Sequence, residues 1–134
     1  MSDNTRWEQS YENFQRALKS LEEALEKDEY SELERDGVIK RFEFTLAQGL
    51  KTIERFQKDK GYEGIIGPKD IAKQAFQDGI IIDSDGWKEM TDSRNITAHE
   101  YNKEKSIEVV EKIKEKYFPL LDDLDKKFAE EAGK

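Results

Sequence analysis

The 134 residues contain no cysteine, a single histidine and only two prolines. Without cysteine there is no disulfide, no thiolate nucleophile and no cysteine-held zinc. One histidine leaves no convincing metal-ligand spacing, so no metal site is expected. Neither a P-loop nor a Gly-x-Gly-x-x-Gly run is present, and no cofactor is expected. Positive charge is also short: 23 Lys and Arg face 31 Asp and Glu, a net charge of −8. That balance argues against a general nucleic-acid binder. No apolar run approaches the length of a membrane span. Met1 to Glu12 is polar and does not resemble a signal peptide. The expected location is the cytoplasm, away from membranes.

What the chain does have is helical period. Charged residues make up 40% and hydrophobic residues 35%, yet the apolar positions recur regularly enough to exclude disorder. The length suits a single domain over 1–134. Trp7, Tyr11, Phe14, Leu18, Leu21 and Leu25 form one stripe, predicting a first helix from about Asn4 to Lys27. Ser31 to Glu34 has the form of a capping box and opens a second long helix. Its inward residues are expected to be Leu33, Val38, Phe42, Leu46, Gly49, Leu50, Ile53 and Phe56. Gly49 is expected to allow close helix packing. Gly61 marks the end of that helix.

Pro68 marks the start of a short third helix, with Ile71, Ala72, Ala75 and Phe76 on its apolar side, stopping at Gly79. Ile80 to Ile82 is too short and unpartnered for a strand and reads as a buried connector. Asp83 or Asp85 caps the next helix, whose stripe is Trp87, Met90, Arg94, Thr97 and Tyr101. Asn102 separates it from the last helix, marked by Ile107, Val110, Ile113, Tyr117, Leu120, Leu121, Leu124 and Phe128. Pro119 should kink that helix about one turn upstream. The tail 130–134 is expected to fray. The predicted fold is all-α: an antiparallel up-and-down bundle of four main helices and one short one. The second helix is the only non-acidic stretch. Lys51, Arg55 and Lys58 there form either a phosphate-binding side or a solvated helix surface.

One window concentrates chemistry, Ser93 to Tyr101. Arg94 can grip phosphate oxygens as a bidentate fork. His99 can give or take a proton near neutral pH. Tyr101 offers a hydroxyl. On an unbroken helix Arg94 and Tyr101 share a stripe, whereas His99 lies about 140° round from Arg94. Convergence needs a bend or end near Ala98, or a second copy of the chain. The plain alternative is a helix with one surface histidine and one buried tyrosine.

The order Arg94-Asn95-x-x-x-His99-x-Tyr101 resembles the signature of HEPN-domain proteins of the HepT-like branch. A longer run resembles the nucleotidyltransferase substrate-binding proteins of that group. It extends from Gly67-Pro68-Lys69-Asp70 through Ala75-Phe76, Gly79-Ile80-Ile81 and Trp87-Lys88-Glu89-Met90 to His99-Glu100-Tyr101. A looser likeness covers Arg41 to Thr45.

The residues suit RNA cleavage without a metal. His99 serves as acid or base and Arg94 stabilises the phosphoryl charge. A two-fold dimer would bring the second histidine that the cleavage cycle needs. The resemblance implies the same: a homodimer with Arg94 and His99 at its cleft. It also implies a small nucleotidyltransferase partner that, in toxin–antitoxin pairs, transfers AMP to the motif tyrosine, here Tyr101. The competing expectation is a binding subunit for a separate nucleotidyltransferase, with Arg94 and Asn95 holding a nucleotide or other substrate and no chemistry of its own. A third is a structural dimerisation module.

Overall fold

A computed structural model describes the backbone of residues 6–99 and 102–133, and the side chains of 7–93 and 102–133. The described residues are helical with no strand. The elements are α1 (Arg6–Ala24), α2 (Glu32–Asp59), α3 (Gly67–Gln77), α4 (Ser84–His99), α5 (Lys103–Lys112) and α6 (Phe118–Ala132). A π-helical turn, Ile113–Tyr117, joins α5 to α6. The chain is therefore all-α, as its periodicity predicts. Among the described residues, no helix is long and apolar enough to cross a membrane.

Local chemistry sets most boundaries. At α2 the Ser31 hydroxyl accepts from the Glu34 N–H, and the Glu34 carboxylate accepts from the Ser31 N–H at 2.8 Å. This reciprocal pair satisfies two donors that a helix start leaves open. Gly61 and Gly79, at φ +91° and +76°, take the left-handed backbone that closes α2 and α3. Asn102 caps α5 by accepting from the Lys105 N–H at 2.8 Å. Asn4, the cap expected for α1, lies outside the described residues, and α1 ends at Ala24, not Lys27.

Pro119 acts as expected, with a particular form. Its ring would crowd the carbonyl four residues back and gives that carbonyl no N–H. The backbone responds with a wider turn over Ile113–Tyr117, in which the Phe118 N–H donates to the Ile113 carbonyl. The helix is widened, not broken, and α5 and α6 form one continuous rod. α6 runs on to Ala132, through part of the tail expected to fray.

Cross-helix contacts fix the topology. The Thr45 hydroxyl donates to the Ala17 carbonyl and Arg41 Nη1 to the Ser20 carbonyl, so α1 and α2 run antiparallel. Arg35 meets Ser106, Phe42 stacks on Tyr117 at 5.5 Å, and Phe56 meets Phe128 at 5.4 Å, so α2 and the rod run the same way. Glu89 meets Tyr117 while Gly86 faces Leu120, so α4 opposes the rod. Between these helices lie Phe14, Leu21, Phe42, Leu46, Ile53, Trp87, Met90, Leu121 and Phe128, all buried. Gly49 is packed as predicted: a Cβ there would sit 3.1 Å from the Phe14 ring and 3.4 Å from Leu124.

Four expected inward residues point elsewhere. Leu33 is 80% exposed, and the inward stripe of α2 is continued past Val38 by Arg35 instead. Ile82 is 77% exposed while Ile80 and Ile81 are buried, so only two-thirds of the connector is covered. Phe76 and Ile107 are nearly half exposed, at 47% and 40%. The three on helices lie beside the true contact line, which neighbouring helices define. In α5 and the turn after it that line runs through Ser106, Val109, Val110 and Ile113.

Candidate functional site

The helix that carries most of the motif, α4, is anchored at its start by Asp83, the earlier of the two predicted caps. Asp83 Oδ1 accepts from the Gly86 N–H at 2.9 Å. Gly86 has no room for a side chain, since a Cβ would lie 2.5 Å from Asp83 Oδ2 and 3.0 Å from Leu120. Trp87 and Met90 then bury one face of α4 in the core. Arg94, Asn95 and His99 fall on the last described turns of this helix. The side chains of Arg94, Asn95 and His99, and all of Tyr101, lie outside the described residues.

One turn before Arg94, a carboxylate ties α4 to the rod. Glu89 accepts from Lys116 Nζ at 2.7 Å, from Tyr117 Oη at 2.9 Å and from Lys112 Nζ at 3.3 Å. These three sit on one side of the rod at helical spacings of four, five and one. The hydrogen bond from Lys116, then that from Tyr117, holds the Glu89 carboxyl down to about 2. Burial, and then the Glu89 bond, pushes the Tyr117 phenol up to about 12. Near neutral pH both groups are thus locked, one charged and one protonated. They fix the motif helix in place and do not move protons.

Beside this tie is a cavity of about 410 Å³ between α4 and α5. Asp85, Asp92 and Ser93 line it from α4, Lys105 and Glu108 from α5. Ser93 directly precedes Arg94, so the cavity leads to the start of the motif. Its walls mix carboxylates with lysines, and no single sign dominates. Sequence reading singled out the arginine, histidine and tyrosine but not the Glu89 tie. The spacing of Lys112 and Lys116 is a signal of one charged helix side, yet nothing local says which carboxylate meets it.

A family model described as "Nucleotidyltransferase substrate binding protein like" matches residues 9–130. A Haemophilus influenzae protein named "Probable ribonuclease HepT" is 36% identical over 81 residues, covering 58% of this chain and 56% of that protein. The likeness thus spans only about half the length of that relative. A solved structure from Thermus thermophilus superposes with a TM-score of 0.75 at 27% identity, covering 83% of this chain and 94% of that one. A second, from Haemophilus influenzae, has a TM-score of 0.76 at 26% identity, covering 87% and 97%. That structure is described as revealing the fold of a substrate binding domain of a nucleotidyltransferase.

Proposed function

The chain belongs to the family of nucleotidyltransferase substrate binding-like proteins, and on that premise we propose that it partners a small nucleotidyltransferase and acts as a HepT-like, metal-independent endoribonuclease, the toxin half of a toxin–antitoxin pair. The observation that carries this reading is the order Arg94, His99 and Tyr101, the first two of them on α4. The ribonuclease name of the Haemophilus influenzae relative supports it.

In this reading two copies of the chain meet and bring two sets of Arg94 and His99 to one cleft. One His99 takes the proton of an RNA 2′-hydroxyl. The freed oxygen attacks the adjacent phosphorus, and the bond to the 5′-oxygen breaks. The other His99 protonates that leaving oxygen. Arg94 stabilises the charge gathering on the phosphoryl oxygens. The partner silences the cleft by AMP transfer: Tyr101 Oη attacks the α-phosphorus of ATP, the phenol proton is lost and pyrophosphate leaves. The added phosphate brings negative charge beside Arg94.

The second reading is a non-catalytic subunit that binds substrate for the nucleotidyltransferase, which the description of the Haemophilus influenzae structure favours. Purified chain incubated with RNA and a chelator separates the two. Cleavage by wild type, lost by about 10² to 10⁴ in Arg94→Ala and in His99→Ala, supports the ribonuclease. Intact RNA with the unmodified, partner-free chain overturns it and leaves the binding subunit. A monomer in sedimentation removes the two-histidine scheme. AMP located on a residue other than Tyr101 counts against the toxin–antitoxin pairing.

A further inference from the structure

On the opposite side of the bundle from the Glu89 tie, α1 and α2 enclose an open groove of about 950 Å³. No described lining residue comes from α4 or α5. Four cations border it: Arg16 from α1, and Lys40, Arg41 and Lys51 from α2. The only carboxylate among its lining residues is Glu43. On a chain of net charge −8 this local excess runs against the whole. The ion pairs found among the described residues involve none of these four cations.

The groove is built on a rigid floor. Ala17 and Gly49 let the two helices approach, and the bond from Thr45 to the Ala17 carbonyl clamps them. Arg41 Nη1 donates to the Ser20 carbonyl at 2.8 Å, and Arg16 donates to Asn13 Oδ1, so both guanidinium groups are held at the edge. Between the cations stands Phe44, 57% exposed. A large ring left in water beside four cations gains nothing from the core. It suits stacking by a planar group that arrives with negative charge. Lys40 and Lys51 are about 16 Å apart along the helix axis at 1.5 Å per residue. A row of that length suits successive phosphates better than one.

We propose that the α1–α2 groove holds single-stranded RNA, with Phe44 stacking on a base and Arg16, Lys40, Arg41 and Lys51 following the backbone. This combination of basic track and aromatic platform is how sequence-tolerant single-strand sites work. The proposal rests on the reading of the chain as acting on RNA, and it adds a binding track separate from the Arg94–Tyr101 motif.

The test uses full-length chain and a short fluorescent 2′-O-methyl oligouridylate, which cannot supply the attacking hydroxyl, read by anisotropy across about 50 to 200 mM salt. Wild type should bind with a clear salt dependence. The triple variant Arg16→Glu/Lys40→Glu/Lys51→Glu should lose affinity and about two units of the log–log salt slope. Phe44→Ala should weaken binding roughly fivefold or more with the slope unchanged. Lys69→Glu/Lys73→Glu/Lys126→Glu makes the same change in net charge at exposed sites away from the groove and should retain most of the affinity. Absence of wild-type binding, or equal loss in the two triple variants, overturns the proposal. So does a groove triple that keeps RNA affinity but no longer captures a purified nucleotidyltransferase partner, since that makes the groove a protein-docking face. The proposal and the ribonuclease reading fail separately. Binding through the groove without cleavage of ordinary RNA leaves the groove and removes the enzyme. Cleavage with unchanged KM in the groove triple does the reverse.

Discussion

The α1–α2 pair and the α4–rod pair are held together by different chemistry. Small residues and main-chain acceptors join α1 to α2: Ala17, Gly49, and the bonds from Thr45 and Arg41 to carbonyl oxygens. None of these contacts joins two charged groups. By contrast α4 meets the rod through one carboxylate that engages two lysines and a phenol. The first contact depends on shape and the second on charge as well. The helix that bears Arg94 and His99 is therefore the one whose seat responds to pH and salt.

The largest effect should come from removing shape on the α1–α2 side. Phe14 is fully buried and fills the space above Gly49, so Phe14→Ala should cost about 3–5 kcal/mol in urea unfolding. A loss under about 1 kcal/mol would show that the contact does not depend on packing. Next come two local changes, one on each side. Gly49→Ala gains about 1 kcal/mol of helix propensity but presses a methyl onto the fully buried Phe14 ring. Overpacking costs about 1–3 kcal/mol, and the net should be a destabilisation of about 1 kcal/mol. Asp83→Ala removes the cap of α4 and should also cost about 1 kcal/mol. Hydrogen exchange should then place the loosening in α4 for Asp83→Ala and in α1 and α2 for Gly49→Ala. The reverse pattern would dissolve the comparison.

Smaller still should be Glu89→Gln, because its partners are largely exposed and such pairs are screened by solvent. It should lower Tm less than Gly49→Ala does, and high salt should remove most of the difference from wild type. The smallest and most specific effect is pH dependence. The folded Glu89 carboxyl sits at about 2, below its ordinary 4.5. Its contribution is complete above pH 4.5 and is lost as pH falls through 2. The folded Tyr117 phenol sits at about 12, above its ordinary 10. Its contribution is complete below pH 10 and is lost as pH rises through 12. Hydrogen exchange, corrected for intrinsic rates, should show α4 loosening before α2 at both extremes. Equal loosening of the two would sink the assignment of the titration to the Glu89 tie.

Some of this was legible in the residue order. The Ser31–Glu34 box, the glycine stops at Gly61 and Gly79, the closeness at Gly49 and the disturbance before Pro119 all involve partners a few residues apart or a side chain that is missing. So did the motif as a string: Arg94, His99 and Tyr101 stand out because the chain has a single histidine. Whether they converge was not legible, since spacing puts His99 well round from Arg94. The Glu89 tie joins residues 23 to 28 positions apart. The α1–α2 groove draws cations from two helices, and charge counting along the chain caught only Lys51 among them.

By itself the sequence determined an all-helical chain, where most helices start and stop, and which residue types could do chemistry. Those features follow from bonds and contacts within about one helical turn, which a one-dimensional pattern records. Only the tertiary structure decided which way each helix is rotated and which helices are neighbours. That is why Leu33, Phe76, Ile82 and Ile107 point outward, why Arg35 lies inside, and why one carboxylate on α4 meets two lysines on the rod. An apolar stripe spans a wide arc of a helix. The line of contact within that arc is set by the shape of the neighbour, and the neighbour is chosen by burial summed over the whole bundle.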